Sequence, residues 1–225
     1  MMHKNIFVAC DVSSQEEILN LLELIHEDIS GIKIGLQYIT QRSPQEIREL
    51  SKFKKPIFYD GKFFDIKNTL VESVKSLKEL NVKFATVHLL NGIDALNATN
   101  KAAQDINLNL LGVSVLTSFG DEDLERLGFN NKVEDQVKKL IKIAVEANLY
   151  GVICSPLEIK MIKSIAPNLK CFTPGIRIGE VKDDQKRTMN ANEAIKEGSD
   201  CLIIGRPITR GNPKENIKNI LLSIN

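Results

Sequence analysis

The chain has 225 residues, 43% of them hydrophobic and 26% charged, with 30 lysines and arginines against 29 acids for a formal net charge of +1. That is ordinary globular composition, without the basic excess that draws a protein to nucleic acid or to an anionic membrane. No stretch approaches the roughly 20 apolar residues of a spanning helix, and the opening "MMHKNIFVACDVSS" reaches an acid at Asp11 too soon for a secretory leader.

Along the chain, short apolar runs alternate with longer amphipathic stretches. "IFVACD" (6–11) reads as a strand, and "SSQEEILNLLELIHEDI" as a helix capped by Ser13 or Ser14. "GIKIG" (31–35) is a second strand, followed by the helix "SPQEIRELSKF" with Pro44 in its first turn. "PIFYD" (56–60) and "VKFATVH" (82–88) are the next strands, with the helices "DIKNTLVESVKSLKEL" and "GIDALNATNKAAQD" behind them. "NLNLLGVSVL" (107–116) precedes two helical pieces, "DEDLERLG" and "VEDQVKKLIKIAVEA". "GVICS" (151–155) leads into "PLEIKMIKSIA", and "LKCFTP" (169–174) into a long polar loop and then "NEAIKEG". "DCLIIG" (200–205) is followed by "NPKENIKNILLSI".

This β–α alternation repeats about eight times with mostly continuous apolar strands, as in a sheet buried on both faces. The expected fold is therefore α/β, a (β/α)8 TIM barrel forming one catalytic domain over 1–225, with a doubly wound open sheet as the alternative. Cys10, Cys154, Cys171 and Cys201 sit in or beside apolar runs with no CxxC pair. They are expected to be buried reduced thiols in a cytoplasmic protein.

Polar residues recur where the apolar runs end: Asp11, Lys33, Asp60 with Lys62, His88, Thr117, Arg177, and Gly205 with Arg206. In a barrel those ends build the catalytic face. Gly205-Arg206 and Gly175 with Arg177 fit an oxyanion, since glycine lets backbone N–H groups approach and the guanidinium supplies the counter-charge. Taken singly, each reads more readily as a glycine turn beside a solvated arginine; two such pairs on adjacent loops turn the reading toward a phosphate. The stretch "RIGEVKDDQKRTMNANEA" between them is too long and polar for a simple connection. It reads as a lid that brings Gln185 to the captured group, or as an insertion without a role. Asp60 and Lys62, two apart on an extended chain, share one face, where Lys33 from the neighbouring strand can reach them and Asp65 can add a fourth charge. Interleaving of that kind keeps acids ionised and lysines protonated. A surface salt-bridge network is its plainer reading.

These residues resemble a family. "DGKFFDIKNT" (60–69) matches the D-x-K-x-x-D-I-x-x-T signature of the orotidine 5′-phosphate decarboxylases, in which Ile66 and Thr69 separate it from the shorter pattern of related sugar-phosphate decarboxylases and hexulose-phosphate synthases. "KIG" (33–35), "VLTS" (115–118), "PGIR" (174–177), "DQKR" (184–187) and "GRPIT" (205–209) follow in the family's order. Two departures stand out, Lys67 in place of a usual proline and Asn190-Ala191 in place of a frequent Thr-Pro pair.

The resemblance implies conversion of orotidine 5′-phosphate to uridine 5′-phosphate and CO2 without metal or organic cofactor. It implies that Lys62 protonates C6 of the pyrimidine, that Asp60 lies beside the departing carboxylate, and that Lys33 contacts the ribose and ties the charges together. Asp11 is expected on the ribose, Thr117 on the pyrimidine edge, and Arg177, Gln185, Gly205 and Arg206 around the phosphate. Asp65, Ile66 and Thr69 are expected to complete the site of a neighbouring subunit in a homodimer with shared active sites. Two alternatives stay open: a Mg2+-dependent 3-keto-gulonate-phosphate-type decarboxylase, and a barrel that binds nucleotide without turning it over. His88 is expected to support the site rather than act in it.

Overall fold

A strand that is apolar on both faces needs cover on both, and a helix with one apolar stripe can cover only one side. Closing the strands into a ring and wrapping the helices around it meets both demands. The computed structural model describes residues 5–177 and 187–224 and has this architecture.

The elements are β1 (Ile6–Ala9), α1 (Gln15–Ile25), β2 (Gly31–Gly35), α2 (Leu36–Ile39), α3 (Pro44–Glu49), β3 (Ile57–Phe63) and α4 (Lys67–Ser76). They continue with β4 (Phe84–His88), α5 (Ile93–Asp105), β5 (Asn109–Val113), α6 (Asp121–Arg126), α7 (Val133–Glu146), β6 (Gly151–Ile153) and α8 (Ile159–Ile165). The last are β7 (Lys170–Thr173), β8 (Ile176–Arg177), β9 (Met189–Asn190), α9 (Ala191–Lys196), β10 (Cys201–Ile204), α10 (Arg206–Thr209) and α11 (Pro213–Ser223).

Eight strands form a closed parallel barrel in the order β1-β10-β7-β6-β5-β4-β3-β2. Closure is made by β1 against β10, with Phe7 paired to Ile203 and Val8 to Ile204, which excludes the open sheet. The lower interior is filled by Phe7, Phe58, Phe84 and Phe172, whose ring centroids lie 5.3 to 6.5 Å apart at steep interplanar angles. Edge-to-face pairs of this kind add about 0.5–1.5 kcal/mol each beyond their buried area. They make the barrel bottom a solid floor, so ligand access is confined to the other end.

Local sequence sets the helix ends. Ser14, not Ser13, caps α1 in a reciprocal box with Glu17, and Ser43 does the same with Glu46 ahead of Pro44. Lys54, Asn81, Asn107 and Asn148, with φ between 50° and 57°, turn the chain from helix into β3, β4, β5 and β6. Asparagine tolerates that left-handed conformation better than most side chains.

Most strands are shorter than their apolar runs predict: β1 stops at Ala9 and β5 at Val113, leaving the polar ends as rim loops. The long loop holds a small parallel pair absent from the sequence reading, β8 with β9, in which Ile176 faces Met189 and Arg177 faces Asn190. The four cysteines are buried and free. Among the described residues, no helix is long and apolar enough to cross a membrane.

Candidate active site

The rim is built around an irregularity in β3. Tyr59 pairs with Ala85 and Phe63 with Val87, so β3 spends four steps where β4 spends two. The surplus is a bulge holding Asp60, Gly61 and Lys62. Lys62 sits there at φ 47°, a left-handed backbone that costs a residue with a side chain about 1–2 kcal/mol. The i, i+2 rule named the correct face, although the chain is not extended at Lys62.

The bulge gathers charge. Lys62 Nζ lies 2.8 Å from Asp60 Oδ2, and Lys33 Nζ lies 3.4 Å from the same oxygen and 3.4 Å from Asp11 Oδ1. Gly35 makes room for the last contact, since a Cβ there would stand 2.8 Å from Asp11 Oδ1. Lys33 and Asp60 are buried, with side chains 8% and 11% exposed. Burial pushes the Asp60 carboxyl up, but the ammoniums of Lys33 and Lys62 outweigh it and hold the group below its ordinary value. Burial likewise pulls Lys33 down, yet Asp60 and Asp11 reverse the sign and raise it. Both therefore stay charged through neutral pH.

The array opens into a cavity of about 260 Å³ at the C-terminal ends of the strands. Of the residues predicted for the site, Asp11, Lys33, Asp60, Lys62, Thr117, Arg177, Gly205 and Arg206 all line it. Ala9, Val113, Ile153 and Ile203 give it an apolar floor, a low-dielectric surround in which fixed charges act strongly. Arg177 is 9% exposed and follows Gly175, whose φ of 82° suits glycine.

Three predicted residues lie elsewhere. Asp65, Ile66 and Thr69 occupy the exposed start of α4, outside this cavity, so Asp65 is not a fourth charge of this chain's own array. Asp65 instead accepts from Ile66 N at 2.7 Å and donates its own N–H to Asn91 Oδ1 at 3.1 Å. Gln185 lies outside the described residues. His88 is half-buried beside Phe64, with ring centroids 5.7 Å apart, and does not line the cavity.

The sequence profile of the orotidine 5′-phosphate decarboxylase / HUMPS family matches residues 4–220. The chain belongs to this family. It is 36% identical over 218 residues to the orotidine 5′-phosphate decarboxylase of Wolbachia sp. subsp. Brugia malayi (strain TRS), covering 96% of this chain and 97% of that protein. It is 37% identical over 226 residues to the enzyme of the same name from Legionella pneumophila (strain Corby), covering 98% and 99%. The crystal structure of orotidine 5′-phosphate decarboxylase from Lactobacillus acidophilus superposes with a TM-score of 0.86 at 28% identity, covering 99% of each chain.

Within this orotidine 5′-phosphate decarboxylase / HUMPS barrel, two features of the site escaped sequence reasoning. Thr86, in the middle of β4, accepts from Lys62 N at 2.8 Å and donates to Asp60 Oδ1 at 3.0 Å. Arg187, at the end of the long loop, pairs with the buried Glu158 and donates to Leu116 O at 2.9 Å, next to Thr117. Burial raises the Glu158 carboxyl against the pull of Arg187. "DQKR" was matched as a motif but only Gln185 was given a role in it, and nothing in "FATVH" marks Thr86 as more than a strand residue.

Proposed function

We propose that this chain is an orotidine 5′-phosphate decarboxylase, releasing CO2 and forming uridine 5′-phosphate by direct, metal-free decarboxylation within one catalytic domain. The observation that carries the reading is the Lys33–Asp60–Lys62 array opening into the same cavity as Arg177 and Arg206. Arg177, Arg206, Gly205 and Gln185 hold the phosphate, Asp11 and Lys33 the ribose, and Thr117 the pyrimidine edge.

The chemistry explains why cations must stand where they do. Breaking the bond between C6 and the carboxylate leaves its electron pair in an sp2 orbital at C6, outside the ring π-system, with no covalent sink. The Lys62 ammonium stabilises that charge as it develops and then transfers a proton from Nζ to C6. Asp60 stands beside the carboxylate and is relieved as CO2 departs. The phosphate does not react, so its binding energy serves to organise the site around the reacting carbon.

The test is the fall in orotidylate absorbance in the presence of EDTA. Full activity there supports the reading. A requirement for added magnesium would move the chain to the metal-dependent sugar-phosphate branch, and tight uridine 5′-phosphate binding without turnover would make it a binding protein.

The reading extends to a cytoplasmic homodimer with shared sites. Phe64 and Ile66 flank Asp65 and are 63% and 73% exposed, which favours cover by a second copy. Asp65, Ile66 and Thr69 of that copy then complete the site. Mixing Lys62→Ala with Asp65→Ala protein, each inactive alone, is expected to restore roughly a quarter of wild-type turnover, because half the reassorted dimers carry one intact site. No recovery after subunit exchange would refute site sharing.

A further inference from the structure

We propose that Thr86 is a positioning residue for the reaction, its single hydroxyl setting both the backbone of Lys62 and the division of labour between the two oxygens of Asp60. This rests on the decarboxylase reading above and goes beyond it, since Thr86 does not line the cavity.

The bulge in β3 takes Lys62 out of the β4 register, so its N–H has no place in the strand ladder. A buried N–H must still find an acceptor. Thr86 Oγ1 takes it at 2.8 Å from a side chain with no exposed surface. That bond supports the left-handed φ of 47° that aims Lys62 into the cavity.

Having accepted from Lys62 N, the hydroxyl has its proton free for Asp60 Oδ1, at 3.0 Å. Asp60 is thereby divided. Oδ1 belongs to Thr86, and Oδ2 faces the ammoniums of Lys62 and Lys33 at 2.8 and 3.4 Å. Rotation of the carboxylate about its terminal torsion, which is soft in free aspartate, would break the Thr86 bond. One side chain thus joins the proton donor's backbone to the orientation of its neighbouring acid. Valine, with the same branching and no oxygen, can do neither.

The experiment compares Thr86→Val, Thr86→Ser and wild type in the orotidylate assay, with thermal midpoints measured beside them. Thr86→Val is expected to lower kcat by about ten- to a hundredfold, the range for losing a hydrogen bond to a charged group. KM should move less than about threefold, because Thr86 does not itself line the ligand cavity and acts only through Asp60 and Lys62. Serine restores the hydroxyl without the methyl and should return kcat to within about threefold of wild type. If the valine protein does not fold, Thr86→Ala removes the same hydroxyl. A folded valine or alanine variant with wild-type kcat, or a serine variant as impaired as either, would overturn this inference alone. A wild-type protein inert toward orotidine 5′-phosphate would instead overturn the reading beneath it.

Discussion

Lys62→Ala is expected to lower kcat/KM for orotidine 5′-phosphate by about 10⁴-fold or more while leaving the barrel folded. Two separable contributions disappear together. The proton donor to C6 contributes about 10²–10⁴ by general acid catalysis, and a fixed charge at the developing carbanion about 10²–10³. Because one group supplies both, the losses need not multiply in full. Stability should change by less than about 1 kcal/mol, since the Lys62 side chain is 31% exposed and Asp60 keeps Lys33 as partner. The orotidylate assay reads the first effect and urea denaturation the second. A folded variant with a tenth of wild-type turnover or more would remove Lys62 from the chemistry.

The barrel was legible in the sequence because its determinants are local. Runs such as "IFVAC" and "CLIIG" are apolar without alternation, which a parallel sheet covered on both faces requires. The polar residue ending a run then falls on one rim by topology alone, so Asp11, Thr117, Arg177 and Arg206 were found without any knowledge of contacts. Lys33 is the middle residue of β2, not its last, and joins the rim by the reach of its side chain to Asp11 and Asp60. Thr86 could not be found that way. Its role exists only because β3 carries two more residues than β4 across the bulge, and a register shift between strands leaves no trace in either strand's own pattern. Glu158 and Arg187 also escape, because they pair across 29 positions and no local pattern records such a contact. Asp65 went the other way. The sequence put it at the start of the following helix as a fourth charge of the array; it does precede α4, but exposed and outside the cavity.

Asp60→Asn is expected to reduce both stability and turnover, and the pH dependence separates it from a simple packing defect. The amide keeps the shape of the side chain and removes its charge, leaving two ammoniums without their shared partner. Lys62 can turn toward water, whereas Lys33, 8% exposed, cannot. Breaking a buried pair from one side costs about 3–5 kcal/mol, most of it here falling on Lys33. In the native chain the Asp60 carboxyl is held below its ordinary value of 3.8, so its stabilisation is complete above that pH and fades as pH falls through the lower folded value. Lys33 is raised above 10.5, so its contribution is complete below that pH and fades as pH rises past the folded value. In the variant the acid-side loss should shrink, because the titrating carboxyl is gone. Lys33, with burial now opposed by Asp11 alone, should lose its proton at lower pH than in the wild type. Turnover should fall by about 10³-fold, as the array can no longer present a fixed cation to C6 beside a fixed anion at the carboxylate. Urea midpoints from about pH 2 to about pH 11 and the orotidylate assay near neutral pH measure these effects. Parallel stability curves for the two proteins, offset by under about 1 kcal/mol, would mean that the buried charges do not depend on one another.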